Sequence, residues 1–168
     1  SPQRTPVLYQ AGASSRGQKF ASQNAECVFI SAPTKIAVKK LVTGIRHNLV
    51  KEGKDPNSVL IYTMLAIVVD ETDEKAQAKF QEYQQYGSYD GGLTLASGWS
   101  GVDFSQFRPT DQVEYIQTNA IQSMLQSYVE SDPDKIWTIE EIAYWTSIGG
   151  NGPVIIGSPT TVADRLQE

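Results

Sequence analysis

Apolar and polar residues occur along the chain in blocks that predict strands followed by helices. Apolar runs at 6–10, 27–31 and 59–69 are short and rich in β-branched or aromatic residues, which is typical of strands in a parallel sheet covered on both faces. The run at 59–69 is the longest, and it predicts one continuous strand buried on both sides. Helical spacing returns between the runs, so the pattern predicts an α/β fold.

The segment after the second apolar run predicts an amphipathic helix. Thr34 begins it, Gly53 ends it, and lysines and arginines occupy the face opposite an apolar stripe. The stripe consists of Val38, Leu41, Val42, Ile45 and Leu49. His47, the only histidine, lies off this stripe, so we interpret it as a solvated helix position and not as a catalytic base.

Four carboxylates follow the third apolar run and allow two interpretations. They are Asp70, Glu71, Asp73 and Glu74. Thr72 is a good N-cap, and acidic residues are favoured at the positive end of a helix. A helix start therefore accounts for the carboxylates, with a metal or acid–base site as the alternative. Ala76, Phe80 and Tyr83 are the expected buried face of this helix.

The stretch 86–109 predicts a long loop. It contains five glycines among serines and aromatic residues and has no clear period, and such stretches are often functional. Trp99 is therefore a candidate for a lid or a substrate-lining position. The alternative is that the aromatic side chains anchor the loop to the core.

Helical patterns return in the last third of the chain. Apolar spacing predicts a helix from Thr110 through Tyr128, which the Asp132-Pro133 pair ends. Thr138 and Glu141 have the spacing of a capping box for a further helix. The glycine-rich stretch 149–153 lacks the spacing of nucleotide-binding loops, so it predicts a turn before the short apolar run at 154–156. Ser158 and Pro159 then predict the start of a final helix.

Composition excludes several function classes. The chain has 168 residues, 40% of them hydrophobic and 20% charged, with a formal net charge of -5. An acidic chain lacks the positive charge with which proteins bind nucleic acid or anionic membranes. Neither a long apolar span nor an apolar leader is visible, which makes the cytoplasm the expected location. The single cysteine, Cys27, allows no internal disulfide and is expected to be a buried thiol.

The stretch 5–25 contains the main candidate for a ligand site. A short apolar run is followed by small residues, two serines and Arg16, and helical spacing then begins. Small side chains allow an anion to approach the backbone, while amides at a helix start and a guanidinium can bind it. The turn is thus either a phosphate site or an ordinary strand-to-helix connection in which Ser14 or Ser15 is only an N-cap.

Four stretches carry a family resemblance that covers nearly the whole chain. They are TPVLYQAGASSRGQKFASQNAECVFIS at 5–31, VLIYTMLAIVVDETDEKA at 59–76, SGWSGVDFS at 97–105 and GSPTTVADRL at 157–166. In this order they resemble flavin-dependent monooxygenases related to the nitrilotriacetate, dibenzothiophene sulfone and long-chain alkane monooxygenases. That family belongs to the bacterial-luciferase-like superfamily.

The resemblance implies a TIM barrel that binds reduced FMN and oxygenates a small organic substrate. It assigns the flavin phosphate to the turn after the fifth barrel strand, which in this chain is Ala11, Gly12, Ala13, Ser14 and Ser15. It also implies a separate NAD(P)H:flavin reductase as a partner and an insertion or lid region at 87–150. No catalytic residue and no metal ligand is assigned, because the groups expected to move protons lie upstream.

A TIM barrel needs about 250 residues, so 168 residues provide only part of one. We expect a single partial barrel domain over 1–168, with strands five to seven, the helices around them and a mainly helical insertion. Such a fragment is expected to be inactive alone. The alternatives are a non-catalytic folded module, paired as a homodimer to cover its open strand edges, or an unrelated doubly wound α/β domain that binds a phosphorylated ligand.

Overall fold

The computed structural model describes residues 2, 5–12, 14–113, 127–129 and 135–168. Strands and helices alternate in its first half, and helices dominate the second. The strands are β1 (Tyr9–Ala11), β2 (Cys27–Ile30), β3 (Leu60–Thr63), β4 (Ala66–Val69) and β5 (Val154–Gly157). The α-helices are α1 (Ser15–Asn24), α2 (Lys35–Lys51), α3 (Asp73–Gln85), α4 (Tyr89–Ser100), α5 (Ile139–Gly149) and α6 (Pro159–Gln167).

The first three strands form a parallel sheet in chain order, which we call the main sheet. In its register Tyr9 lies opposite Cys27, and Phe29 lies opposite Tyr62. Helices α1 and α2 connect the strands, as parallel pairing requires. The predicted strand at 27–31 is confirmed, whereas β1 shares only Tyr9 and Gln10 with the strand predicted at 6–10 and ends at Ala11.

One face of the main sheet is buried against α1 and α2. Val28, Ile30, Ile45 and Leu49 are between 0 and 3% exposed there, and the predicted stripe residues Val38, Leu41 and Val42 pack against the same cluster. The predicted helix from Thr34 is confirmed, with the Thr34 hydroxyl accepting from the Ala37 amide. His47 is exposed on α2 and Cys27 is buried in β2, as expected.

The prediction of one continuous strand at 59–69 was wrong. The chain forms β3 and β4 with Met64 and Leu65 between them, and the two strands belong to different sheets. β3 pairs with β2, whereas β4 pairs in parallel with β5, a strand that the sequence showed only as a short apolar run. Nor is the run buried on both sides, because Leu60, Tyr62, Ile67 and Val69 are at least 40% exposed.

The predicted loop at 86–109 was also wrong, because α4 and a short 3-10 helix (Phe104–Gln106) occupy it. Ser88 caps α4 at its first turn, and Gly101, with φ of 70°, ends it. Gly92 faces α5 so closely that a Cβ atom there would lie 1.9 Å from the carbonyl oxygen of Ala143. Glycine in α4 therefore permits close packing of two helices, whereas the sequence pattern suggested turns.

A second hydrophobic cluster joins α4, α5 and the residues near them. Its fully buried members include Phe104, Tyr128 and Ile139. Burial raises the pKa of the Tyr128 hydroxyl to about 12. The helix predicted from Thr110 does not begin there, since Gln112 forms an isolated antiparallel bridge with Thr138. Most of that predicted helix and the Asp132-Pro133 break lie outside the described residues.

The helix starts predicted in the rest of the chain are confirmed. Thr138 and Glu141 form a reciprocal capping box at α5, and Ser158 caps α6 with Pro159 in its first turn. Thr72 caps α3, whose Ala76 is buried, but Tyr83 is 48% exposed and does not belong to the buried face. In the part of the chain that the structure describes, no helix is long and apolar enough to cross a lipid bilayer.

Candidate functional site

The candidate site lies at the carboxyl edge of the main sheet, where its three parallel strands end. β1 ends at Ala11, β2 at Ile30 and β3 at Thr63. Adjacent strands are about 4.8 Å apart, so the ends of β1 and β3 are separated by roughly 10 Å. Parallel α/β sheets bind their ligands at this edge, because the strand-to-helix turns place amide groups and polar side chains there.

The turn from β1 to α1 is built from small residues and a serine cap. Gly12 has φ of 144°, a backbone conformation that side chains with a Cβ rarely adopt. The Ser14 hydroxyl accepts a hydrogen bond of 3.1 Å from the Gly17 amide. A Cβ on Gly17 would lie 2.9 Å from the Gly12 carbonyl oxygen, so the turn is closed tightly on itself. Ala13 lies outside the described residues.

The first turn of α1 presents hydrogen-bond donors to solvent. Ser14 caps the Gly17 amide, and the Gln18 amide donates to the Ser14 carbonyl at 2.8 Å. The amides of Ser15 and Arg16 therefore remain without a hydrogen-bond acceptor among the described residues. Both residues are exposed, and neither side chain forms an ion pair or a hydrogen bond with a described residue. Two amides, a hydroxyl and a guanidinium at a helix start are a suitable donor set for a phosphate.

The start of α6 offers a contrast, because a carboxylate already occupies it. Asp73 accepts from the Ser158 amide at 2.6 Å and from the Thr161 hydroxyl at 3.1 Å. These hydrogen bonds, that of the Ser158 amide first, lower the pKa of Asp73. An anion at this helix start would meet a fixed negative charge. The turn after β1 is therefore the better phosphate site of the two.

Three aromatic rings line the face of the main sheet that is turned away from α1 and α2. Tyr9 and Phe29 stack with ring centroids 5.9 Å apart, and Phe29 and Tyr62 stack at 5.2 Å. All three rings are at least 40% exposed. Hydrogen bonding to the neighbouring Cys27 raises the pKa of the Tyr9 hydroxyl. The face thus presents a contiguous apolar surface next to the turn.

The glycine-rich loop before β5 reaches the same edge. The Ser31 hydroxyl, just after β2, donates to the Asn151 carbonyl at 2.7 Å. Gly152 packs against the Met64 backbone, where a Cβ would come within 2.6 Å of the carbonyl oxygen. The loop is a turn, as predicted, but its position beside the ends of β2 and β3 was not evident from the sequence.

The acidic residues at the start of α3 have structural partners. Asp70 pairs with Lys79 at 2.6 Å, and the bond from Lys79 is the main cause of the lowered pKa of Asp70. Asp73 holds the start of α6, as described above. Among the described residues, no group of three or more His, Cys, Asp or Glu side chains is placed to bind a metal ion. Asp73 and Glu74 lie in the first turn of α3, as a helix start predicts, whereas Asp70 precedes the Thr72 cap and is held by Lys79.

A family model described as "Luciferase-like monooxygenase" matches residues 1–168. The chain belongs to the luciferase-like monooxygenase family. Enzymes of this family generally depend on reduced flavin. The resemblance inferred from the four sequence stretches is therefore confirmed, and so is the relationship to TIM-barrel proteins of this superfamily.

Individual relatives within the luciferase-like family act on different substrates. The dimethyl-sulfide monooxygenase of Hyphomicrobium sulfonivorans is 38% identical over 167 residues, which cover 99% of this chain and 35% of the relative. The long-chain alkane monooxygenase of Geobacillus thermodenitrificans is 31% identical, with 99% and 34% covered. The nitrilotriacetate monooxygenase component A of Aminobacter aminovorans is 26% identical, with 99% and 38% covered.

Solved structures of the family agree with the fold. The crystal structure of DmoA from Hyphomicrobium sulfonivorans has a TM-score of 0.80 at 40% identity, with 99% of this chain and 35% of that chain covered. A riboflavin lyase solved with modified FMN and riboflavin has a TM-score of 0.76 at 28% identity, with 100% and 36% covered. The chain thus spans about a third of the length of the relatives it matches.

Proposed function

We propose that this chain forms part of an FMN-dependent monooxygenase that oxygenates a small organic substrate. Membership in the luciferase-like family supports the reaction class. The observation that carries the proposal is the exposed turn after β1, where the amides of Ser15 and Arg16 have no acceptor among the described residues. We further propose that the main sheet corresponds to barrel strands five to seven and that 87–150 is an insertion within the same domain.

In this proposal the turn binds the phosphate of FMN. Ser15 and Arg16 would donate from their amides, the Ser15 hydroxyl would add a hydrogen bond, and the Arg16 guanidinium would add charge. Gly12 would allow the phosphate to approach the backbone, and Ala11 and Ala13 complete the stretch assigned by resemblance. Ser14 has a different role, because its hydroxyl already caps the Gly17 amide.

Reduced FMN, when bound, supplies the electrons with which molecular oxygen is activated. The contribution of this chain is to hold the cofactor and to exclude water from it. In a complete barrel, Tyr9, Phe29 and Tyr62 would face the barrel interior, below the carboxyl edge at which the flavin would bind. The reduced flavin would come from a separate NAD(P)H:flavin reductase.

The test is a titration of the 168-residue chain with FMN, followed by quenching of flavin fluorescence. We expect the Ser14→Ala/Ser15→Ala variant to bind FMN more weakly, because it loses a phosphate donor and the cap that fixes the turn. Ser88→Ala is the matched control, since Ser88 caps α4 by the same hydrogen bond to an amide three residues on. Equal FMN affinity in all three proteins would contradict the assignment of the turn.

A second candidate function is a folded, non-catalytic module that binds phosphate or flavin without activity of its own. The exposed apolar face of the main sheet favours it, because Tyr9 and Phe29 are about half exposed and contiguous apolar surface of this kind marks an interaction site. We propose that the isolated chain covers this face by forming a homodimer.

A further inference from the structure

A cavity of about 320 Å³ lies between α3, α5 and the start of β5, and we call it the aromatic cavity. Four rings line it, those of Phe80, Trp137, Tyr144 and Trp145. Its volume lies at the lower end of the range of about 300–1,000 Å³ in which proteins bind small molecules. None of its described lining residues belongs to the turn after β1, so this cavity is separate from the proposed phosphate site.

One face of α5 supplies much of the lining. Glu140, Tyr144 and Ile148 follow one another at intervals of four residues, as do Glu141 and Trp145, and all five line the cavity. Residues four apart lie one above the other on a helix. Each of the two carboxylates is therefore placed one helical turn from an aromatic ring.

The two indole rings are fixed by their contacts. The Trp145 indole donates to the Gly152 carbonyl at 3.2 Å. Trp137 meets Trp145 edge to face with ring centroids 5.5 Å apart, and it meets Tyr128 in the same way at 5.0 Å. A wall whose rings are held from behind is preorganised for a ligand.

The aromatic cavity already holds one ammonium group, which belongs to the protein itself. The Lys135 Nζ lies 3.8 Å from the centroid of the Trp137 ring and 3.5 Å from a carboxylate oxygen of Glu141. A cation over an aromatic face with a carboxylate beside it is a favourable arrangement. This contact shows which chemistry the wall of the cavity stabilises.

The other half of the cavity repeats these groups without an ammonium from the described residues. Glu140 is exposed, and its carboxylate forms no hydrogen bond or ion pair with a described residue. Burial first, and then the negative charge of Glu140, raise the pKa of the nearby Tyr89 hydroxyl. Among the described lining residues, one ammonium stands against two carboxylates, so the lining has a net negative charge.

We propose that the aromatic cavity binds a small organic cation, a quaternary or protonated amine. Its alkyl groups would contact Phe80, Tyr144 and Trp145, and its charge would lie near Glu140. A neutral ligand of the same shape would gain no attraction from the carboxylate, and an anion would be repelled by it. The inference does not depend on flavin binding.

The experiment follows the indole N–H signals of the 168-residue chain by ¹⁵N NMR during titration with choline chloride at constant ionic strength. The uncharged probe 3,3-dimethylbutan-1-ol, which has the same shape as choline, is titrated separately. We expect choline to shift the Trp145 and Trp137 signals in a saturable way and to leave Trp99, which does not line the cavity, in place. Choline should bind at least about fivefold more tightly than the alcohol.

Two variants at exposed positions test the separate contributions. Glu140→Gln should weaken choline binding by about threefold and leave the affinity for the alcohol unchanged, because it removes only a charge. Tyr144→Leu should weaken choline binding by a similar factor, since it keeps an apolar side chain and removes the ring. Glu82→Gln is the matched control, because Glu82 is exposed on α3 and does not line the cavity. Circular dichroism verifies that each variant is folded.

Three results would overturn the inference: no saturable shift of Trp145 or Trp137, equal affinity for choline and the alcohol, or an unchanged choline affinity in Glu140→Gln. No flavin is present in these titrations. A failure of the chain to bind FMN would therefore contradict the proposed function alone, while silent Trp137 and Trp145 signals would contradict only the assignment of the aromatic cavity.

Discussion

Two glycines on α4 have opposite environments, and they allow a paired test of the helix packing. Gly92 lies against the backbone of Ala143, whereas Gly98 has no neighbouring atom within 4 Å of an added Cβ. Gly92→Ala should lower the free energy of unfolding by about 1–3 kcal/mol or more, because backbone cannot move aside as a side chain can. Gly98→Ala should raise it by about 0.5–1 kcal/mol, since alanine is the better helix former.

Urea unfolding followed by circular dichroism measures both values. The two substitutions make the same chemical change in one helix, so each serves as the control for the other. Equal effects, or a stable Gly92→Ala protein, would contradict the close contact between α4 and α5.

The contrast between the two glycines also explains why the sequence pattern wrongly predicted a loop at 86–109. Glycine in a sequence marks a turn or a close contact equally well, and only the position of Ala143 distinguishes the two.

Single residues at the candidate site show a similar limit. The sequence predicted that Ser14 or Ser15 would be an N-cap, and the structure shows that Ser14 is the cap. The sequence did not indicate which residues lie next to Trp99, because its neighbour Gly150 is 51 positions away along the chain. Contacts between distant segments depend on the whole fold, which residue spacing within one segment does not encode.

At the scale of elements, a carboxylate joins the start of α3 to the start of α6. The Ser158 amide first, and then the hydroxyls of Thr161 and Ser158, lower the pKa of Asp73 below its ordinary value of 3.8. A lowered pKa in the folded state stabilises the fold at pH values above 3.8, and this contribution is lost as the pH falls through the folded-state pKa. Asp73→Asn should therefore lower Tm at pH 7 and reduce the further loss of Tm on acidification.

Thermal unfolding between pH 7 and pH 2 measures this effect. Asp164→Asn is the matched control, because Asp164 is exposed on α6 and makes no hydrogen bond or ion pair among the described residues. If both variants lowered Tm equally at pH 7, the specific link between the two helices would be refuted.

The sequence predicted both helix starts through Thr72 and Ser158, but the contact that joins them across 85 residues was visible only in the structure.

Strand boundaries show where patterns along the sequence are ambiguous. The run at 59–69 is apolar almost throughout, so nothing in its composition marks the division at Met64 and Leu65. The division arises because β3 pairs with β2 and β4 pairs with β5. The helix α2 was predictable almost to its ends, since Thr34, the apolar stripe and Gly53 are signals within one segment.

For the whole molecule, the exposed face of the main sheet has consequences for association. We expect the isolated chain to form a homodimer at micromolar concentration, because Tyr9, Phe29 and Tyr62 leave contiguous apolar surface in water. Phe29→Lys should shift the chain toward monomer, since it places a charge in the centre of the ring stack. Sedimentation velocity over a range of concentrations measures the distribution.

Tyr86→Lys is the control for that substitution, because Tyr86 is 81% exposed and lies outside the stack. A chain that sediments as a monomer at every concentration and melts cooperatively would contradict the homodimer. A homodimer that Phe29→Lys does not weaken would place the interface elsewhere on the molecule.

The central claim is that the turn after β1 binds the phosphate of FMN. It is tested most directly by calorimetric titration of the 168-residue chain with FMN and with riboflavin, which lacks the phosphate. Charge-assisted hydrogen bonds contribute about 1.5–3 kcal/mol each, so we predict that FMN binds at least about tenfold more tightly than riboflavin. The preference should be reduced but not abolished in Ser15→Ala/Arg16→Ala, because this variant loses the hydroxyl and the guanidinium and keeps the two backbone amides. Equal affinity for the two flavins in the unmodified chain would contradict the assignment of the turn.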